Sequence, residues 1–424
     1  MQSVPANVTR YGLSQVVNYL LEGDDYIPFE FLVEEELLRL SLGEHIAARN
    51  TSTEATLEVE YFPALLPPEP KDENEQEDWI SCISILRKHD GTNLVTTAGY
   101  DGFVKIWDEG NEVSSFAAST CPIKSSVAIS SCGQLLATGN EGTAIVWELS
   151  PEYLSGESAE APALVACLGG HESGVEASSV RLDGERCATA GWDTTILLHK
   201  MGESLKKYVQ DNNNDFSGDR KKKKKKGSMS LDEAVGSACN VNALASLEGH
   251  KQCVSDLQWL SEDSLASCSW DHSIKVWDAE MEKAVDSYQH NKVIFCMDAP
   301  KSLASNNLIA FGGAEKSVRI WDRRQKEGML AKALRSYQSH TSWISALSWH
   351  PNSEHHLLTA SFDGTAKVWD VRSEIPLYSV QGARRPTDTD DIKLFACAWV
   401  NEEGTLFCHG GTACLLRTMK ISKI

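Results

Sequence analysis

Residues Ala266–Asp278 read ASCSWDHSIKVWD, and the same wording returns along the chain. It recurs as TTAGYDGFVKIWD (Thr96–Asp108), ATGNEGTAIVWE (Ala137–Glu148) and ATAGWDTTILLHK (Ala188–Lys200). Further copies are AFGGAEKSVRIWD (Ala310–Asp322), LTASFDGTAKVWD (Leu358–Asp370) and a frayed LFCHGGTACLLRT (Leu406–Thr418). In each, small β-forming residues make one strand, a polar or glycine pair turns the chain, and an alternating strand ends near Trp-Asp. Trp107 and Trp147 lie 40 residues apart, Trp277 and Trp321 lie 44 apart, and Trp321 and Trp369 lie 48 apart.

A period of roughly 40–45 residues ending in Trp-Asp marks a propeller blade of four antiparallel strands. The chain therefore resembles WD-repeat proteins, and seven copies predict a mainly β, seven-bladed propeller. Within the repeat sits a polar set. His250 precedes Ser267, Asp271 and Trp277, and His340 precedes Thr359, Asp363 and Trp369. The WD-repeat pattern implies that imidazole, carboxylate, hydroxyl and indole N–H join in a structural tetrad. A buried carboxylate needs such partners, since an unpaired one costs several kcal/mol. A catalytic His-Asp-Ser reading is disfavoured because the set is repeated from blade to blade. Blade three keeps His171, Thr189 and Asp193 but has His199 in the tryptophan slot. Blades two and five carry Glu141 and Glu315 in the aspartate slot, and blade one has Thr97, Asp101 and Trp107 without a Gly-His.

A chain of 424 residues with net charge −20 does not coat nucleic acid over its whole surface. Twelve cysteines without a CxxC pair read as reduced intracellular thiols, and no His/Cys cluster has zinc spacing. No apolar run is long enough to span a membrane. No phosphate-cradling loop, nucleophile elbow or HExxH occurs, so the expectation is a scaffold without enzymatic activity, cofactor or small-molecule substrate.

Before the repeats, Leu13, Val16, Val17, Leu20 and Leu21 space out a short amphipathic helix over residues 13–22. Pro28–Val33, Leu37–Leu40 and Thr56–Tyr61 read as strands, so residues 1–62 form the later part of a small α+β ubiquitin-like (β-grasp) domain, without its first hairpin. Residues 63–78, rich in proline and then in acid, read as a solvated linker to a propeller over residues 79–420. The chain ends with an inner strand of blade seven, and Tyr61–Leu66 is the expected donor of the missing outer strand. Between blades three and four, residues 202–243 form a polar insertion expected to be disordered. It carries Arg220, Lys221, Lys222, Lys223, Lys224, Lys225 and Lys226, whose run reads as a nuclear import signal, with RNA contact and a plain solvated loop as alternatives.

The stretch FEFLVEEELLRLSLGEHIAARNTSTEATLEVEYFPALLPP, then DWISCI and seven repeats, resembles the WD-repeat ribosome-biogenesis factors of the PeBoW complex over essentially the whole chain. That resemblance implies assembly of the large (60S) ribosomal subunit and pre-ribosomal RNA processing in the nucleolus and nucleoplasm. It further implies pescadillo and the block-of-proliferation protein as partners, with release from the particle by the AAA ATPase midasin. Glu54, in the turn NTSTEA (Asn50–Ala55), matches the acidic residue that completes Mg²⁺ coordination in midasin. A hard divalent cation with an open position accepts such a carboxylate from outside. The alternatives are a WD-repeat adaptor of a ubiquitin ligase, and a notchless-type factor, which has eight blades.

Overall fold

The computed structural model describes residues 4–22, 26–49, 57–88, 91–129, 133–139, 142–157, 161–215, 235, 238–301, 307–324, 335–385 and 391–422. Helix α1 (Arg10–Leu21) opens it, followed by β1 (Phe29–Val33), β2 (Glu36–Leu37), α2 (Leu42–Arg49) and β3 (Val59–Pro63). The three strands form one antiparallel sheet in the order β2-β1-β3. Leu13 and Val17 of the helix pack on Phe29, Phe31 and Val33, which alternate onto one sheet face with Val59. Two polar side chains stitch the helix to the strand. Ser14 Oγ accepts the Phe29 N–H at 3.1 Å, and Asn18 bonds both backbone groups of Ile27 at 2.6 and 2.9 Å.

The other described strands form a ring of seven mainly antiparallel sheets, six of them four-stranded, whose strands follow chain order from the channel outward except for the outermost strand of blade seven. Blade four shows the unit: Val254–Trp259, Ser264–Ser269, Ser273–Asp278 and Lys283–Gln289. Trp277 and Trp369 are almost fully buried, each filling the gap between its own blade and the preceding one. Ile80, Val95 and Trp107 of blade one pack with Ala398, Cys408 and Leu416 of blade seven, so the ring is continuous.

The closing strand differs from the expected one. Tyr61 belongs to β3, which pairs with β1 from Val59 to Pro63. The outer strand of blade seven is β4 (Glu69–Glu75), paired from Glu69↔Lys420 to Glu75↔Leu415. The acidic stretch assigned to a solvated linker over 63–78 is thus part of the propeller, which begins at Glu69. An outer strand buries little on its outward face, so four carboxylates and one proline are tolerated there, and they discourage pairing with other chains.

The insertion differs too. After a short helix α3 (Pro151–Leu154) in blade two, helix α4 (Gly202–Asp215) occupies the first part of the segment expected to be disordered. Met201, Leu205, Tyr208 and Val209 fall at helical spacing and pack on Leu136, Val146, Ala166 and Leu168 of blade two. On the return, Asn240–Val241 pairs in parallel with Ala163–Leu168 as a fifth strand. Both roots of the insertion are therefore fixed to blade two. Leu205 is fully buried. Leu205→Ala should lower the unfolding free energy by about 2–4 kcal/mol in denaturant melts, whereas a solvated helix would leave it unchanged.

Candidate docking face

The tetrad positions build one mouth of the propeller. His250 Nδ1 lies 2.9 Å from Asp271 Oδ2 and Nε2 lies 2.7 Å from Ser267 Oγ, which accepts the Trp277 indole N–H at 2.8 Å. In blade six the distances are 2.9 Å for His340–Asp363, 2.8 Å for His340–Thr359 and 3.0 Å for Trp369–Thr359. Gly249 precedes His250 at φ +154°, and a Cβ there would meet the Trp277 ring at 3.1 Å. Burial alone would raise the Asp271 carboxyl. Bonds from His250, Ser273 and the Lys251 N–H instead hold it well below the usual carboxylate range. Asp363 is held low in the same manner.

The departing blades solve the same problem with other groups. In blade three His171 bonds Asp193 at 2.7 Å and Thr189 at 2.9 Å, and His199 Nε2 stands 3.3 Å from Thr189 where the indole would be. Burial pushes His199 down to about 4, so it is neutral at physiological pH. Blade one has no histidine in the slot. There Gln76, just beyond β4, donates to Thr97 Oγ1, which also accepts the Trp107 indole at 2.9 Å. Blade five pairs Glu315 with His290 at 3.0 Å and with Arg319 at 2.7 and 2.8 Å. Glu141 of blade two lies outside the described residues.

The residue before the turn aspartate is fixed by its own backbone N–H. In blade four the Trp270 N–H donates to the Cys253 carbonyl at 2.9 Å, just ahead of the inner strand. Tyr100 to Trp79 (3.1 Å), Trp192 to Gly174 (3.0 Å) and Phe362 to Trp343 (2.9 Å) repeat this bond. Side chains at both ends of it surround the channel mouth, and many are aromatic. Trp192 and Trp270 have ring centroids 4.8 Å apart, Trp270 and Phe295 6.2 Å, and Phe295 and Trp343 5.5 Å. The chain of rings continues through Phe362 (6.0 Å) and Phe395 (5.5 Å) to Trp79 (6.0 Å), which lies 5.8 Å from Tyr100. Lys124 of blade two stands over Tyr100 at 5.1 Å. Eight rings thus run from blade three through blades four, five, six and seven to blade one, and Trp79, Trp192 and Trp343 are 45%, 47% and 48% exposed.

The sequence carries a signal for this arc. The residue before the turn aspartate is aromatic in GYDG, GWDT, SWDH and SFDG. Such rings combine large apolar area with few rotamers, the composition of protein-binding hot spots. The other mouth opens into a funnel of about 1290 Å³ lined by Asp256, Gln258, Asp298 and Trp349 among others. Burial pushes Asp256 up to about 7 and raises Asp298. Both carboxylates cap backbone N–H groups of the next blade, Asp256 that of Met297 at 2.9 Å and Asp298 that of Trp349. They serve as joints between blades. Among the described residues no group of three His, Cys, Asp or Glu side chains is placed to hold a metal ion.

Glu54, Arg220 and Lys221 through Lys226 lie outside the described residues. Asp271→Ala should cost about 1–3 kcal/mol in unfolding free energy, because His250 and the Lys251 N–H lose their acceptor. An unchanged denaturation midpoint would show that the carboxylate does not hold the turn.

Two family models match the chain. The NLE (NUC135) domain covers residues 2–46, and the WD domain, G-beta repeat, covers 73–108, 110–148, 162–200, 242–278 and 331–370. The ribosome biogenesis protein WDR12 homolog of Chlamydomonas reinhardtii is 37% identical over 98% of this chain and 92% of its own length. Its namesakes in Arabidopsis thaliana and Drosophila persimilis are 32% and 30% identical, over 98% and 99% of this chain and 91% of their own lengths in both cases. Matched along nearly its whole length, the chain belongs to the WDR12 family of WD-repeat ribosome biogenesis proteins.

Proposed function

We propose that this protein is a non-enzymatic scaffold of large ribosomal subunit assembly, and that the aromatic mouth of its propeller docks a protein partner. Family membership supports the process, since the relatives are named for ribosome biogenesis. The arc of eight rings carries the docking reading. Three half-exposed tryptophans on a rigid ring lose little entropy on binding, and that is where binding free energy concentrates. A protein fits this mouth better than RNA does. The Trp192 indole donates to the Glu176 carboxylate at 3.1 Å, and the chain as a whole carries net charge −20, which repels a phosphate backbone.

In this reading the partners are pescadillo and the block-of-proliferation protein, within a complex acting on pre-ribosomal RNA in the nucleolus and nucleoplasm. The basic run Arg220–Lys226, which lies in sequence between α4 and the strand Asn240–Val241, serves nuclear import. The ubiquitin-like N-terminal unit is the handle for release, with Glu54 supplying a carboxylate oxygen to a Mg²⁺ held by midasin.

The test is affinity purification from cells of tagged wild type, the pair Trp343→Ala/Phe395→Ala, and Glu54→Ala. The arc pair should lose its co-purifying assembly proteins by about tenfold or more while keeping the wild-type melting curve. Glu54→Ala should retain them and accumulate on pre-ribosomal particles. Undiminished recovery by the arc pair would refute the docking face, and cullin components in place of pre-ribosomal RNA would favour the ubiquitin-ligase adaptor.

A further inference from the structure

The N-terminal sheet has a second face, opposite α1, and it rests on blade six. Glu30 of β1 is buried there and pairs with Arg10 at 2.5 Å and with Arg39 at 3.3 Å. Arg39 Nε also donates to Ser373 Oγ at 3.3 Å. The Leu37 N–H donates to the Arg372 carbonyl at 3.2 Å, and the Arg372 guanidinium lies 4.9 Å from the centre of the Phe62 ring. Asp370 grips the same guanidinium by two bonds, at 2.9 and 2.7 Å. An internal comparison shows what the seat adds. Blade five has the same fork, Asp322 with Arg324 at 3.0 and 2.8 Å, but among the described residues nothing covers it. The Arg324 side chain is 65% exposed, and that of Arg372 is 18% exposed.

From the seat, the chain runs directly into the strand that closes the ring. Only residues 64–68 separate β3 from β4. Each part of this connector is held. The Ala64 N–H donates to the Pro28 carbonyl at 2.9 Å, Tyr378 Oη donates to the Leu65 carbonyl at 2.6 Å, and the Leu66 N–H donates to the Ser422 carbonyl at 3.2 Å. Leu65 packs into the core shared by blades six and seven, and Pro67 and Pro68 stiffen the remainder. Five residues span at most roughly 18 Å when fully extended, which leaves little slack. Beyond β4, the Gln76 N–H donates to the Cys414 carbonyl at 2.8 Å, and the Gln76 side chain fills the empty histidine slot of blade one. One strap, residues 64–76, therefore ties the N-terminal unit to blades six, seven and one in turn.

We propose that seating of the N-terminal unit on blade six and closure of the ring at blade seven are a single coupled equilibrium, with Arg372 as its latch. Lifting the unit from Arg372 pulls on β4 at Glu69, the end paired with Lys420. The ladder then opens bond by bond toward Glu75. Since β4 is the outer strand, it has a neighbour on one side only, and the side-chain anchor facing it is the Arg417–Glu73 pair at 2.8 Å. This inference goes beyond the functional reading above and does not depend on it.

Hydrogen exchange on the full chain, read by mass spectrometry, tests the coupling. Arg372→Ala should raise exchange about tenfold or more in residues 69–75 and in their partner strand Leu415–Lys420, with the rise largest at the Glu69/Lys420 end. Exchange in the inner strand Val254–Trp259 should stay at the wild-type rate. Arg372→Lys, which keeps the charge without the two-pronged grip, should give a smaller rise. Arg324→Ala, which breaks the uncovered fork of blade five, should leave the closing strand unchanged. Faster exchange confined to residues 29–63 would overturn the proposal, because the unit would then move without loading β4. An equal rise in Arg324→Ala would overturn it as well.

Discussion

The blades and the aromatic arc at their mouth are organised around the turn carboxylate. A four-stranded blade must reverse between its second and third strands at the channel mouth, where the backbone N–H groups of the turn lack strand partners. Asp271 and Asp363 accept them, together with an imidazole that reaches across from the loop before the blade. The imidazole passes the bond to a hydroxyl, and the hydroxyl accepts the indole of the tryptophan that fills the space between blades. One chain of bonds thus locks the turn, the loop and the inter-blade packing. The residue before the aspartate is then held beside the channel by its own N–H. Whatever stands there is presented on a frame without rotational freedom, and in blades one, three, four and six it is aromatic.

This logic also explains why degenerate blades survive. The slot requires a donor that can reach the hydroxyl, and its identity is open. Gln76 meets the need in blade one, from the far end of the closing strand, whereas blade five has Phe311 in place of the hydroxyl and there Arg319 helps His290 hold a longer glutamate. The His290 imidazole is lowered by burial and by Arg319, so the blade-five pair is held by hydrogen bonding to a neutral ring. Blade three keeps the hydroxyl but offers it a neutral imidazole in place of the indole.

Repeat spacing made the propeller legible in the sequence, because seven copies of one pattern reinforce each other and the strand period is short. The closing strand and the root of the insertion are hard to see in the sequence for one reason. Hydrophobic periodicity reports burial, and a segment pinned along one side only gives a weak signal. The acids of Glu69–Glu75 looked like a linker because an outer strand faces water. The apolar stripe Met201, Leu205, Tyr208 and Val209 was present, yet the polar residues around it and the lysine run after it dominated the reading. The aromatic arc was hidden for another reason. Its members are distant in sequence, and only the closing of the ring sets Trp79 of blade one beside Phe395 of blade seven. Gln76 could not be found at all without knowing where β4 lies.

In the proposed function the aromatic mouth, and not the opposite funnel, meets the partner. Site-specific photocrosslinking in cells tests it directly, with a photoreactive amino acid replacing Trp343 on the arc or Glu354 at the funnel. A crosslink is expected from position 343 to a component of the ribosome assembly machinery, and none from position 354. A partner captured from position 354 and absent from position 343 would contradict it.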